Sequence, residues 1–329
     1  MIRRRLILAF AVLLAACASV QPSFPAAAAA GAFQVIIFGD TPYRQMGHPD
    51  RVAEQAAYHH LLDTIAAHPA AFVVHIGDFT GTVCSDSLFA ERVREFDAIP
   101  HPLVYTPGDN EWADCARDGF EPLERLSRLR ALFAAGDASM GARTLPLARQ
   151  SADPRFARYR ENARWSLGGV LFVTLHVVGA NNNRGREAAP GAEYVERTAA
   201  NLAWLRDSFA HARERGMLGV VVFTQADLQL LPGERRNPPA LDGFAEVRDE
   251  LQRQAAAFPR PVALVHGDSH YYRVDKPFNV PGTDRVLTTF TRAETFGDPD
   301  VHALLMTVDP ADPALFRFAP FIVRENVPD

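Results

Sequence analysis

Five times in this chain a run of strand-forming residues ends in a turn that carries carboxylate, amide or imidazole groups. The segments read "VIIFGDTPY", "FVVHIGDFTG", "YTPGDNEWADC", "VVVFTQADL" and "ALVHGDSHYY". They place Asp40, Asp78, Asp109, Gln225, Asp268 and His270 at strand ends. A single Gly-Asp after a strand is commonly an Asx turn and nothing more. Its recurrence at strand after strand points instead to side chains gathered at one place. Carboxylates and amide oxygens with one imidazole are donors for hard divalent cations: Mg²⁺, Mn²⁺ or Ca²⁺ rather than Zn²⁺ or iron. Four carboxylates in one pocket could not all stay ionised without such cations, because like charges raise one another's pKa values.

The elements that must carry these turns follow from the hydrophobic pattern. "AFQVIIFGD", "AFVVHIGD" and "PLVYTPGDN" read as near-continuous apolar strands. Between them lie the helical patterns "DRVAEQAAYHHLLDTIAAH" and "SDSLFAERVREFDAI", the second opening on Ser85 or Asp86 as its cap. Strand and helix in alternation predict a parallel sheet covered on both faces. In such sheets chemistry sits beyond the carboxyl ends of the strands, where these turns fall. Further on, "PLERLSRLRALF" is a helix and Pro146 to Asn162 an irregular excursion. Gly168-Gly169 makes a hairpin, and "ERTAANLAWLRDSFAHARERG" is an amphipathic helix stopped by Gly216. "PPALDGFAEVRDELQRQAAAF" reads as one more helix. From "RVLTTFTRAETFG" to "FAPFIVREN" the alternation predicts the edge strands of a second sheet.

The chain has 329 residues, 48% hydrophobic and 22% charged, enough to bury a full core. A pI of 6.1 and a net charge of −5 argue against a nucleic-acid surface, and no contact with nucleic acid is expected. The first residues, "MIRRRLILAFAVLLAAC", carry a basic start and an apolar stretch, the pattern of an export signal. Leu14-Ala15-Ala16-Cys17 resembles the lipobox of bacterial lipoproteins, so residues 1–16 read as a signal peptide. Residues 17–31 then form a tether lipidated at Cys17, the only expected membrane contact, and residues 32–329 form one domain, expected as a monomer. An ordinary signal cleaved in "FPAAAAAGA" is the alternative, which would leave a soluble periplasmic or secreted protein. Export favours disulfides. Cys84 and Cys115 each follow a Gly-Asp turn, so a disulfide between them is expected if the turns converge.

The order of these motifs resembles the calcineurin-like metallophosphoesterases: Asp, Gly-Asp, Gly-Asn-His-Glu, His, then Gly-His-x-His. The resemblance covers nearly the whole mature chain. It implies a four-layer α/β/β/α sandwich with two mixed sheets, and a site of two divalent ions that hydrolyses phosphate esters. Carried over residue by residue, it implies metal ligation by Asp40, Asp78, Asp109, Gln225, Asp268 and His270. The family histidine after the first Asp is Pro42 here, which cannot ligate, and Tyr43 is the nearest additional ligand. Asn110 stands at the catalytic histidine's position, and Glu111 reads as a support for its neighbours rather than a ligand.

Every replacement but Pro42 exchanges one donor for another, which reads as retuning rather than decay. The expected function is hydrolysis of a small phosphorylated substrate, a mono- or diester, outside the inner membrane. Asn110 removes the usual general acid. His176, in "TLHVVGANNN", is then either a catalytic substitute or a hydrogen-bonded core histidine. A metal-holding protein that binds phosphate ligands with little or no turnover is the alternative function.

Overall fold

The computed structural model describes residues 31–43, 49–81, 83–185 and 187–328. The signal segment, Cys17 and the tether as far as residue 30 lie outside the described residues. Among those described, no helix is long and apolar enough to cross a membrane.

Two sheets lie face to face. The first has five strands in the order β12-β11-β1-β2-β3. Strands β1 (Phe33–Phe38), β2 (Phe72–His75) and β3 (Leu103–Tyr105) run parallel, whereas β11 (Ala303–Val308) and β12 (Phe316–Phe321) are antiparallel. The second has seven strands in the order β4-β5-β6-β7-β8-β10-β9. Its parallel centre is β6 (Val170–Thr174), β7 (Gly219–Phe223), β8 (Val262–His266) and β10 (Phe290–Glu294). The antiparallel strands β4 (Ala148–Arg149), β5 (Ala163–Leu167) and β9 (Arg273–Asp275) flank it.

The period of two explains the layers. In β1, Val35 and Ile37 join Val74, Phe172, Phe223 and Val265 in the core between the sheets. Their neighbours Ile36 and Phe38 face the opposite way, onto Tyr58, Leu61, Phe89, Phe96 and Phe133. Those residues belong to the helices Arg51–Ala67, Asp86–Ala98 and Pro122–Phe133. On the far side, helices Ala192–Glu214 and Ala245–Ala257 cover Val173, Val222 and Leu264 with Leu205, Phe209, Val247 and Leu251. The result is the expected α/β/β/α sandwich, with about 1.5–3 kcal/mol from each large side chain removed from water.

Local signals hold in detail. Ser85 is the cap of the second helix, its hydroxyl accepting from Leu88 N at 3.2 Å. Gly168 and Gly169 turn the β5–β6 hairpin with φ of +58° and +79°. Two expectations need correction. Helix Ala245–Ala257 starts later than the sequence suggested, because prolines 238 and 239 open a short 3₁₀ turn and Gly243 follows. The C-terminal strands do not form the edge of the second sheet alone. Strand β10 joins that sheet between β8 and β9, but β11 pairs with β1 in the first, burying Leu304, Met306 and Val308 between the sheets.

Candidate functional site

The turns after β1, β2, β3, β7 and β8 all open at the same end of the sandwich. Asp40, Asp78, Asp268 and His270 adopt left-handed backbone, with φ of 53°, 57°, 76° and 60°. Non-glycine residues there cost roughly 1–3 kcal/mol each, a cost that surrounding structure must hold in place. The neighbouring glycines explain why the carboxylates can come so close. A Cβ on Gly108 would lie 1.9 Å from Asp78 Oδ1, and one on Gly267 would lie 1.9 Å from Asp40 Oδ2. A Cβ on Gly179 would meet Asp109 Oδ1 at 2.5 Å and Asp268 Oδ1 at 2.7 Å.

These contacts tie the six expected positions into one pocket. Asp268 N donates to Asp40 Oδ2 at 3.1 Å, and Asn110 N donates to Asp78 Oδ1 at 3.1 Å. Gln225 Nε2 reaches Asp78 Oδ2 at 3.1 Å and Asp40 Oδ1 at 3.5 Å. His270 Nε2 lies 3.8 Å from Asp40 Oδ1. Its other nitrogen, Nδ1, is 2.7 Å from the Asp298 carbonyl oxygen and must therefore carry the proton. Nε2 consequently faces the pocket.

Among the described residues, no lysine or arginine pairs with Asp40, Asp78, Asp109 or Asp268. Burial and mutual repulsion are opposed by hydrogen bonds from neutral donors, among them Gln225, Tyr43 and backbone N–H groups. Asp40 is pushed well up by burial and then by the Asp268 charge, Asp78 by burial and Asp109, and Asp109 by burial and Asp268. Asp268 is raised to about 6, chiefly by burial, while a hydrogen bond from Asp227 N works the other way.

Tyr43 and Gln225 stand in the middle of this set. The Tyr43 hydroxyl donates to Asp78 Oδ2 at 2.7 Å and lies 3.3 Å from both Asp40 Oδ1 and His270 Nε2. The amide of Gln225 has its direction fixed, because Oε1 accepts from Gly179 N at 2.7 Å and leaves the NH₂ group facing the carboxylates. As arranged, no three His, Cys, Asp or Glu side chains among the described residues form a group that could hold a metal ion. The donors fit a hard divalent cation by their chemistry, as uncompensated carboxylates and an inward imidazole nitrogen, and not by their present spacing.

Supporting residues account for the turn after β3. Glu111 accepts from Asp78 N at 3.0 and 3.1 Å, from Gly108 N at 2.9 Å and from the Tyr105 hydroxyl at 2.6 Å. These contacts turn it to the backbone of both turns and to Tyr105, the supporting place the sequence suggested. Cys84 and Cys115 are disulfide-bonded with Cα atoms 5.8 Å apart, clasping this turn to the one after β2. The Asn110 side-chain amide makes no hydrogen bond within the described protein and is half-buried at the pocket.

His176 is not at the pocket surface, so its catalytic reading is corrected. Its ring is fully buried against Trp112, and Nδ1 meets Glu161 Oε1 at 2.8 Å. The strand run "LFVTLHVV" is apolar on both faces, and that continuity was the signal for burial. The asparagines after it are structural. Ala180, Asn181, Asn182 and Asn183 form a left-handed turn with φ between 48° and 57°, a conformation asparagine tolerates. Asn181 Oδ1 accepts from Asn237 Nδ2 and Gly243 N, both at 2.9 Å, and Asn182 Nδ2 donates to Gly243 O at 3.0 Å. Sequence reasoning missed Gly179 and Gly267, and also Asp227, which holds Asp268 and is itself paired with Arg273 at 3.2 Å.

Neither a protein-family model nor a curated protein matches the sequence. Among solved structures the chain is similar to PhoD, at 12% identity and a TM-score of 0.52. The match covers 86% of this chain and spans 65% of the PhoD chain. It is also similar to 5'-nucleotidase from Candida albicans, at 11% identity and a TM-score of 0.39, over 87% of this chain and 50% of the other. The PhoD likeness shows the fold: this chain has the four-layer α/β/β/α sandwich, with two mixed sheets between helices, that its motifs suggested.

Proposed function

We propose that this chain is an exported, metal-dependent phosphoric ester hydrolase. The observation that carries the reading is the convergence of Asp40, Asp78, Asp109 and Asp268 with His270 Nε2. No cationic side chain among the described residues offsets them. An acidic pocket repels phosphate unless cations intervene, so phosphate chemistry here requires them. Asp40, Asp78 and His270 would hold one divalent ion, and Asp78, Asp109 and Asp268 a second. Bound there, the ions supply positive charge against the phosphoryl oxygens.

The chain's own residues set the rest. Glu111 fixes the backbone of Gly108 and Asp78, so the carboxylates are held in place before substrate arrives. Asn110 offers its unpartnered amide to a phosphoryl oxygen. It has no titratable proton for the leaving group, a lack worth roughly 10²–10⁴-fold in rate. Esters with acidic leaving groups, such as aryl phosphates, are therefore the preferred substrates. Export and a Cys17 lipid anchor rest on the leader sequence, and the disulfide suits an oxidising compartment.

The test is hydrolysis of an aryl phosphate monoester and diester after chelation and re-addition of Mg²⁺, Mn²⁺ or Ca²⁺. Ion-dependent release supports the reading, and Asn110→Ala should weaken inhibition by phosphate by roughly threefold to tenfold. Ion binding without release from any ester would favour the second reading, a phosphate-binding protein. Burial of His176, which removes it as a substitute acid, favours that alternative.

A further inference from the structure

The geometry points to Tyr43 as a stopper: its hydroxyl holds the place of a cation among Asp40, Asp78 and His270, and an ion enters only when the ring leaves. This inference rests on the metal-dependent reading above and goes beyond it, because it makes Tyr43 a competitor of the ion and not a ligand.

Three observations fix Tyr43 where it is. Its backbone N–H donates to Glu54 Oε1 at 2.5 Å. Its carbonyl packs on the bare Cα of Gly81, where a Cβ would come within 2.2 Å. Its ring meets His270 edge to face, with centroids 5.0 Å apart and planes at 73°. Held this way, the hydroxyl stands 2.7 Å from Asp78 Oδ2 and 3.3 Å from both Asp40 Oδ1 and His270 Nε2. These separations suit hydrogen bonds around one oxygen, whereas ligands of a hard cation stand at about 2.0–2.6 Å. An ion centred among the same three donors would overlap the phenol.

Gln225 does the same from the other side. With Oε1 committed to Gly179 N, its NH₂ group bridges Asp78 and Asp40. Two neutral donors thus satisfy carboxylates that would otherwise need an ion. An ion at this centre has to break these hydrogen bonds first. Removing the phenol leaves all three donors and takes away the competitor.

The measurement is Mn²⁺ binding to the purified full chain, with free Mn²⁺ counted by electron paramagnetic resonance. Tyr43→Ala should bind Mn²⁺ about tenfold or more tightly than wild type. Tyr43→Phe, whose ring edge still blocks the centre, should show no such gain. Gln225→His, which exchanges an inward N–H₂ for a lone pair, should also tighten binding if Tyr43→Ala proves unstable. Weaker binding in both Tyr43→Ala and Tyr43→Phe would make Tyr43 a ligand and overturn the inference while leaving the metal-dependent reading intact. Equal binding in wild type and Tyr43→Ala would overturn it as well. Absence of Mn²⁺ binding in wild type, Tyr43→Ala and Gln225→His alike would overturn the inference together with the metal-dependent reading beneath it.

Discussion

Asp109 lies against the bare Cα of Gly179, so close that a methyl group there would come within 2.5 Å of its Oδ1. The same methyl would meet Asp268 Oδ1 at 2.7 Å. Gly179 is therefore a spacing residue for two carboxylates that come from different sheets. Gly179→Ala should displace both and loosen the Gln225 hydrogen bond. We expect a modest loss of stability, roughly 1–3 kcal/mol as for other overpacked sites. Mn²⁺ binding should weaken by about tenfold or more. Unchanged binding in a folded Gly179→Ala protein would remove Asp109 and Asp268 from the ion site.

Asp109→Asn separates stability from function. The substitution takes one charge out of a group whose members repel, since the Asp268 charge raises Asp109 and the Asp109 charge raises Asp78. In chelator at pH 8 it should stabilise the protein by about 1 kcal/mol, a rise of roughly 2 °C in Tm. In the presence of Mn²⁺ the order should invert, with wild type gaining more than the variant. Thermal unfolding with and without the ion reads both signs. A variant less stable than wild type in chelator would mean that Asp109 is not repelled by its neighbours.

The Cys84–Cys115 disulfide closes a loop across a sequence separation of 31 residues. Replacing both cysteines by serine should cost about 3 kcal/mol, mainly through the freer unfolded chain. The Asn110 carbonyl oxygen lies 3.4 Å from one sulfur and 3.5 Å from the other, so the turn bearing Asp109 and Asn110 should also loosen. Ester hydrolysis should then fall more steeply with temperature than unfolding alone explains. Activity that tracks the folded fraction alone would confine the disulfide to stability.

His75 predicts how the fold responds to acid. Its ring is fully buried among Phe38, Phe96 and Tyr105, and Nδ1 accepts from Gly77 N at 3.1 Å. Burial, with the Arg92 charge added, lowers its pKa from 6.5 to about 3. Between those values the unfolded chain takes up a proton that the folded chain refuses. Its contribution is therefore complete above pH 6.5 and is lost as pH falls toward 3, at about 1.4 kcal/mol per unit. His75→Asn keeps an acceptor for Gly77 and should flatten the acid limb of the stability curve. Parallel curves for variant and wild type below pH 6 would contradict this.

Much of the fold was legible because its signals are local. Gly-Asp after an apolar run, Ser85 before a helix and Gly168-Gly169 between strands each act within a few residues. The disulfide was legible for the same reason, once two strand-end turns were expected to converge. What escaped depends on partners far away in sequence. The direction of the Gln225 amide is set by Gly179, 46 residues earlier, and nothing near "FTQADL" records it. The pairing of β11 with β1 joins the two ends of the chain, and period-two alternation does not say which sheet a strand will enter. Pro42 was read as a lost ligand, while the donor role of its neighbour Tyr43 against Asp78 appeared only in three dimensions.

The contact between Asp40 Oδ2 and Asp268 N spans 228 residues of chain. During synthesis Asp40 and Asp78 emerge long before Gln225, Asp268 and His270. The first sheet itself waits for β11, which follows them. Until nearly the last strand has emerged, the early carboxylates are separate surface acids with ordinary affinity for ions. A selective pocket exists only on the finished chain. The finished fold is therefore a precondition of any ion site here, and a chain cut before β8 would present only scattered acids.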